Sequence, residues 1–171
     1  MAGLSVQNML VNLARMLFLR GGPQHLPASK ALAVFLLAAY VAQNLLTGQQ
    51  LADVYAAEKS LVAIALQIVI LTGLLRWRNY QARFVQTLTA LVGVGIVFNA
   101  ITWALLTQSD PNLSQPGLAL AWFGVFFWSL FVDAGIYRHS LSVSLAIGML
   151  ITVLMLAMSY IFIDMLFLVE Q

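Results

Sequence analysis

The sequence predicts an all-α fold: a polytopic transmembrane helical bundle with five spans and an N-terminal amphipathic interfacial helix. Three observations predict it. Hydrophobic residues make up 62% of the chain and charged residues 8%, whereas a soluble domain is about half apolar and about a quarter charged. A chain of 171 residues has too little interior to hide that much apolar surface from water. The apolar residues are also gathered into five long runs separated by short polar links. Finally, seven of the eight lysines and arginines fall on one side of a five-span arrangement.

Residues 1–29 form an amphipathic segment ahead of the spans. Over residues 4–19, Ser5, Asn8, Asn12 and Arg15 recur at helical spacing and share a face. Leu4, Val6, Met9, Leu10, Leu13, Met16 and Leu17 cover the rest. Such a helix is expected to lie in the headgroup region with its apolar side down. Gly21, Gly22 and Pro23 should end it, and Pro27 breaks the chain before the first span. No apolar run followed by a small-residue cleavage site marks a cleavable signal.

The transmembrane domain, residues 30–171, reads as spans at about 31–47, 60–75, 84–107, 117–137 and 141–168. Crossing a bilayer takes roughly 20 residues at about 1.5 Å each. The second run is the shortest, with 16 residues between Lys59 and Arg76, about 24 Å of helix. It works if both flanking side chains extend their heads toward water, or if the helix begins earlier, near Leu51. The four prolines, Pro23, Pro27, Pro111 and Pro116, all lie in connections, so no span carries a proline kink. Residues 108–116 read as a polar turn, and Arg138-His139-Ser140 as the tight link of an antiparallel hairpin.

Orientation follows from the basic residues. Arg15, Arg20 and Lys30 precede the first span, Arg76, Arg78 and Arg83 lie between the second and third, and Arg138 lies between the fourth and fifth. Lys59 alone falls opposite, with Asp53, Glu58, Asp110 and Glu170. The basic side is expected to be cytoplasmic. That places the N-terminus in the cytoplasm and the C-terminus on the periplasmic side of a cell inner membrane. Trp77, Tyr80 and Tyr137 would anchor the inner interface, and Trp103 and Trp122 the outer one.

Few residues are candidates for chemistry. The chain has no cysteine, which removes disulfides, thiol catalysis and thiolate metal sites. His25 and His139 have no carboxylate at ligand spacing, and eight basic residues are too few for a nucleic-acid footprint. Asp133 and Asp164 are the acidic residues inside predicted spans, which makes them functional candidates. Each lies toward a span end, with Arg76, Arg78 or Arg83 the natural partner for Asp133 and Lys59 for Asp164. Ser129, Asp133 and Tyr137 recur every four residues, a polar stripe that either lines a wet crevice or holds helices together. Gln67, Asn99, Gln43 and Asn44 put amides in spans, where lipid supplies no partner. Ser144, Gly148 and Thr152, again four apart, would let another helix approach closely. Gly93-Val94-Gly95 lacks the preceding strand of a nucleotide loop. Asn112-Leu113-Ser114 matches the glycosylation pattern too close to the membrane to be used, and Met149, Met155, Met158 and Met165 read as gap-fillers. No cofactor is expected.

The segment Leu19-Arg20-Gly21-Gly22-Pro23-Gln24-His25-Leu26-Pro27-Ala28-Ser29, leading into five closely spaced spans, resembles small bacterial Yip1-like membrane proteins. The resemblance implies an all-helical integral membrane scaffold, no enzymatic activity and no assigned site residues. The expected function is therefore a membrane scaffold or interaction protein, associating with the lipid bilayer and with other membrane proteins or itself, and not with nucleic acid. The alternative is a small oligomeric transporter or channel with Asp133 or Gln67 facing its pathway.

Overall fold

The computed structural model describes residues 2–50, 55–110 and 114–167. Among these the protein is all-helical: α1 (Ala2–Leu17), α2 (Lys30–Gln50), α3 (Ala56–Trp77), α4 (Phe84–Leu106), α5 (Pro116–Leu141) and α6 (Leu145–Phe167). Short 3-10 turns occupy Pro23–His25 and Gln81–Arg83. The helices α2 to α6 are long and apolar enough to cross a membrane, the architecture that satisfies every backbone group without help from lipid.

Two boundaries differ from the sequence reading. α3 has 22 residues, about 33 Å of helix, so the second span is not short. The hairpin link is displaced. Arg138, His139 and Ser140 form the last turn of α5, which runs to Leu141, and α6 begins at Leu145 rather than Leu141. The cause is local. Ser142 takes a left-handed conformation (φ 53°, ψ 50°) and Val143 N–H bonds back to Arg138 O, a left-handed helix stop without glycine. Ser144 Oγ then accepts the Ile147 N–H at 3.3 Å. Ser144 therefore caps α6 and is not part of its small-residue stripe. The readings at Leu51, Asp53, Asn112-Leu113, Leu168 and Glu170 fall outside the described residues.

The five long helices close a ring in the order α2, α4, α5, α6, α3 and back to α2, with α5 against α6 the most extensive contact. That contact is close because of Gly148: a Cβ there would overlap Ala134 O and lie 3.2 Å from Ala134 C and 3.3 Å from Arg138 N. The expected close approach is thus made by Gly148, with Thr152 buried one turn on.

Packing is uneven along the ring. At the basic end, Leu71 and Leu75 of α3, Leu88 and Leu91 of α4, and Ile136, Tyr137 and Leu141 of α5 are buried together. Beneath them Thr87 Oγ donates to Ser140 Oγ at 2.9 Å, and Ser140 Oγ donates on to Ile136 O at 2.8 Å. Arg83 Nη1 lies within hydrogen-bond reach of His139 O (3.2 Å), Ser140 O (3.1 Å) and Ser142 Oγ (3.0 Å), capping carbonyls that α5 leaves open. Tyr137 is 2% exposed, so it belongs to this core and is not an interface anchor. Trp77, 80% exposed at the end of α3, is free to anchor there.

α1 docks onto this end. Leu13 and Met16 are buried against α4 and α5, and Gly93 leaves room for Leu13, whose Cδ2 would stand 2.9 Å from a Cβ at that position. Trp128 Nε1 donates to Leu17 O at 2.8 Å. The helix stops at Leu19 (φ 58°), ahead of the glycines expected to end it. Asn12 Nδ2 bonds to His25 O at 3.0 Å and Gln86 Nε2 to Leu26 O at 2.8 Å, which fixes the connection to α2. The apolar residues of α1 are thus divided. Leu13 and Met16 face protein, while Leu10, Val11 and Phe18 are exposed.

Candidate functional site

Away from the basic end, the helices part around clefts whose linings mix polar and apolar side chains. One cavity of about 300 Å³ is lined by Tyr40 and Asn44 of α2, Gln67 of α3, Asn99 and Thr102 of α4, and Ser129 and Asp133 of α5. A second of about 380 Å³ shares Tyr40, Gln67, Ser129 and Asp133 and adds Tyr137 with Thr152 and Ser159 of α6. A third of about 230 Å³ continues from Tyr40, Asn44 and Gln67 along α3 to Ser60 and Lys59. All five long helices contribute to one polar chamber. Lys59 and Ser60 border it on the side away from the basic end, and the packed core at the basic end is its floor.

Helix spacing explains the convergence. Ser129, Asp133 and Tyr137 stand on one face of α5 because a four-residue repeat nearly matches the helical turn. Closing the ring turns that face inward. Asp133 lies eight residues before the end of α5 at Leu141, about 12 Å along the axis, which is deeper than its nearness to Arg138 suggests. The expected arginine partners do not reach it. Arg76 and Arg78 are exposed, and Arg83 is engaged with the end of α5 while its guanidinium stacks on Tyr80 at 4.3 Å. Among the described residues Asp133 makes no ion pair or hydrogen bond, and its carboxylate opens onto the chamber.

The amides are spread around the same space. Gln67 faces the Tyr137 hydroxyl. Asn44 Nδ2 donates to Tyr40 O at 2.8 Å, and Gln43 Nε2 reaches Ile96 O on α4 at 3.2 Å. Thr47 Oγ lies 3.3 Å from Asn99 Oδ1, but Asn99 Nδ2 and Gln43 Oε1 are buried without a partner. An unmet buried polar atom costs about 1–3 kcal/mol, so this wall is not optimised for stability alone. Ser129 Oγ donates to its own helix at Phe126 O, 2.8 Å.

Of the residues singled out in the sequence, Asp133, Gln67, Asn99 and Ser129 meet at this chamber. Asp164 does not. It is exposed near the end of α6 and pairs with no lysine or arginine among the described residues, while the Lys59 ammonium sits 5.9 Å from the centre of the Phe167 ring. Sequence reasoning missed Tyr40, Thr102 and Ser159. The signal for Tyr40 was available: it sits one turn before Asn44, inside an apolar run. No three metal-ligating side chains cluster among the described residues.

Fold and site together define the class: an α-helical protein of multi-pass membrane type, with a polar chamber inside the bundle. Comparison with family models, curated proteins and solved structures finds no match.

Proposed function

We propose that the protein is a small transporter or channel that takes a polar solute or ion into the chamber around Asp133. The observation that supports this is the Asp133 carboxylate, set inside a ring of apolar helices without a partner among the described residues and open to a space large enough for solute and water. An ionisable side chain at such depth is costly, and a bundle held only by packing gains nothing from it. The chamber is bordered by Lys59 and Ser60 on one side and by a packed floor at Leu71, Leu75 and Tyr137 on the other. This suits a protein that exposes its site to one side at a time, or a pathway completed by further copies.

The test is flux into proteoliposomes. Uptake of the transported solute, or of protons or monovalent cations in a first screen, should exceed that of empty liposomes and drop at least tenfold in Asp133→Asn. Flux equal to empty liposomes for every small cation and polar solute tried would remove the proposal.

A second reading, the scaffold or interaction protein of the Yip1-like kind, is favoured by the exposed aromatic strip of α5, Phe123, Phe126, Phe127 and Phe131, which offers a rigid face to a neighbouring helix. Crosslinking from that strip in native membranes tests it. In both readings the basic end faces the cytoplasm, α1 lies at the inner leaflet, and the C-terminus is periplasmic. A reporter fused at Gln171 and active only in the cytosol would reverse this.

A further inference from the structure

A second cavity lies outside the chamber, at the basic end of the bundle. It has a volume of about 410 Å³ and is lined by Gln24, Arg83, Arg138, His139, Ser142 and Val143. We propose that it binds a phosphate group, presented either by the headgroup of an anionic phospholipid or by a soluble phosphate ester.

The donors are placed for this. Arg83 spends Nη1 on the end of α5 and is steadied by stacking on Tyr80, so its Nε and Nη2 hydrogens remain for a ligand in a fixed orientation. A guanidinium held in this way offers the planar fork that matches phosphate oxygens. The Arg138 side chain is exposed in the last turn of α5, at the rim of the same cavity. His139 Nδ1 lies 2.7 Å from Gly135 O. A carbonyl only accepts, so that nitrogen carries the hydrogen, and Nε2 of the neutral ring accepts, from a ligand hydroxyl or a bridging water. Ser142 and Gln24 add neutral polar groups.

Among the described residues, no acid pairs with these cations. None lines the cavity, and Asp133, the acidic residue nearest in sequence to Arg138, opens onto the chamber instead. At the end of α5, the His139 and Ser140 carbonyls are covered by Arg83. The placement also suits a lipid. The cavity sits where α4 begins, α5 ends and α6 begins, so an acyl chain hanging from a bound headgroup would run down the apolar helix surfaces. Basic pockets between helices at a membrane surface are a recognised mode of headgroup binding. The site is independent of what the chamber carries.

The test uses the full chain. In the first arm, protein in mixed micelles of phosphatidylglycerol and phosphatidylcholine is analysed by native mass spectrometry. Retention of phosphatidylglycerol over phosphatidylcholine, lowered about tenfold by Arg138→Gln with His139→Gln, is the expected result. It should be unchanged by Arg76→Gln, an exposed arginine outside the cavity. In the second arm, glycerol 3-phosphate is titrated into protein held in phosphatidylcholine nanodiscs. Binding there with the same dependence on Arg138, without retention of phosphatidylglycerol, assigns the site to a soluble ester and also upholds it. Should the double variant fail to fold, Arg138→Gln alone carries both arms. The proposal is overturned if neither ligand binds, or if Arg76→Gln weakens binding as much as Arg138→Gln, since a diffuse basic surface would then be responsible.

Discussion

Gly148→Ala is the sharpest probe of the bundle's geometry. The added methyl would overlap Ala134 O and stand 3.2 Å from Ala134 C and 3.3 Å from Arg138 N. All three atoms belong to the backbone of α5, so no side chain can swing aside. Relief requires α5 and α6 to part, and their contact is the largest in the bundle. Alanine in place of glycine favours a helix by about 1 kcal/mol, whereas overfilling a packed site costs about 1–3 kcal/mol and occasionally more. Rigid backbone on the facing side puts this substitution at the upper end, for a net loss of about 2 kcal/mol. Gly73 supplies the control, since a Cβ there meets nothing within 4 Å and only the helix preference acts. Both variants are unfolded in detergent by increasing dodecyl sulfate and followed by circular dichroism. Gly73→Ala should match or exceed the parent, and Gly148→Ala should unfold at clearly lower dodecyl sulfate. Equal stability of the two variants would refute the packing of α6 on α5.

Four further outcomes follow from the structure. Asp133→Asn should raise the melting temperature while abolishing flux, because an unpaired carboxylate is removed from an apolar bundle; a fall in melting temperature would show that Asp133 is a structural partner. The chain lacks cysteine, so Ser129→Cys can be labelled in an otherwise silent background. It should react with a small hydrophilic thiol reagent at least tenfold faster than Leu71→Cys in the packed floor, and equal rates would mean a dry chamber. Arg83→Gln should cost about 3 kcal/mol through lost charged hydrogen bonds at the end of α5, with Arg83→Lys restoring less than half, both read by the same unfolding titration. Trp128→Phe keeps the ring but removes the bond to Leu17 O; a loss of about 1 kcal/mol should appear as faster proteolysis at Arg20, and unchanged cleavage would show that α1 is held by packing alone.

The parts of this fold that could be read from the sequence are those that depend on one helix at a time. Span number and the small-residue approach at Gly148 are properties of single runs, and the structure carries them, while the bounds of the second and fifth spans shifted. What could not be read is which side of each run faces inward. Helices such as α5 and α6 are apolar nearly all round, so hydrophobicity has no period to reveal a buried face. In water the polar face of a helix announces itself; in lipid both faces are apolar and only rare polar residues mark a side. Tyr137 shows the cost. Its position near Arg138 suggested an interface anchor, yet the pairing of α5 with α3 and α6 places it in the core.

The same reasoning explains why the chamber became visible only with the ring closed. Asp133, Gln67 and Asn99 lie on three different helices, and no spacing within one helix relates them. Taken singly, each has an ordinary explanation as a partner for a neighbouring helix. Taken together they are not all such partners, since among the described residues Asp133 has no hydrogen bond and Asn99 keeps a buried amide nitrogen unmet. Seams elsewhere in the bundle show what satisfied polar groups look like here: Thr87 passes its hydrogen to Ser140 and Ser140 to Ile136 O, and Arg83 closes the end of α5. Those groups are saturated and surrounded by a packed core, while Asp133, Asn99 Nδ2 and Gln43 Oε1 lack partners among the described residues. One chain therefore treats its polar residues in two ways, and the difference in local packing argues that the unsaturated set is kept for something other than stability.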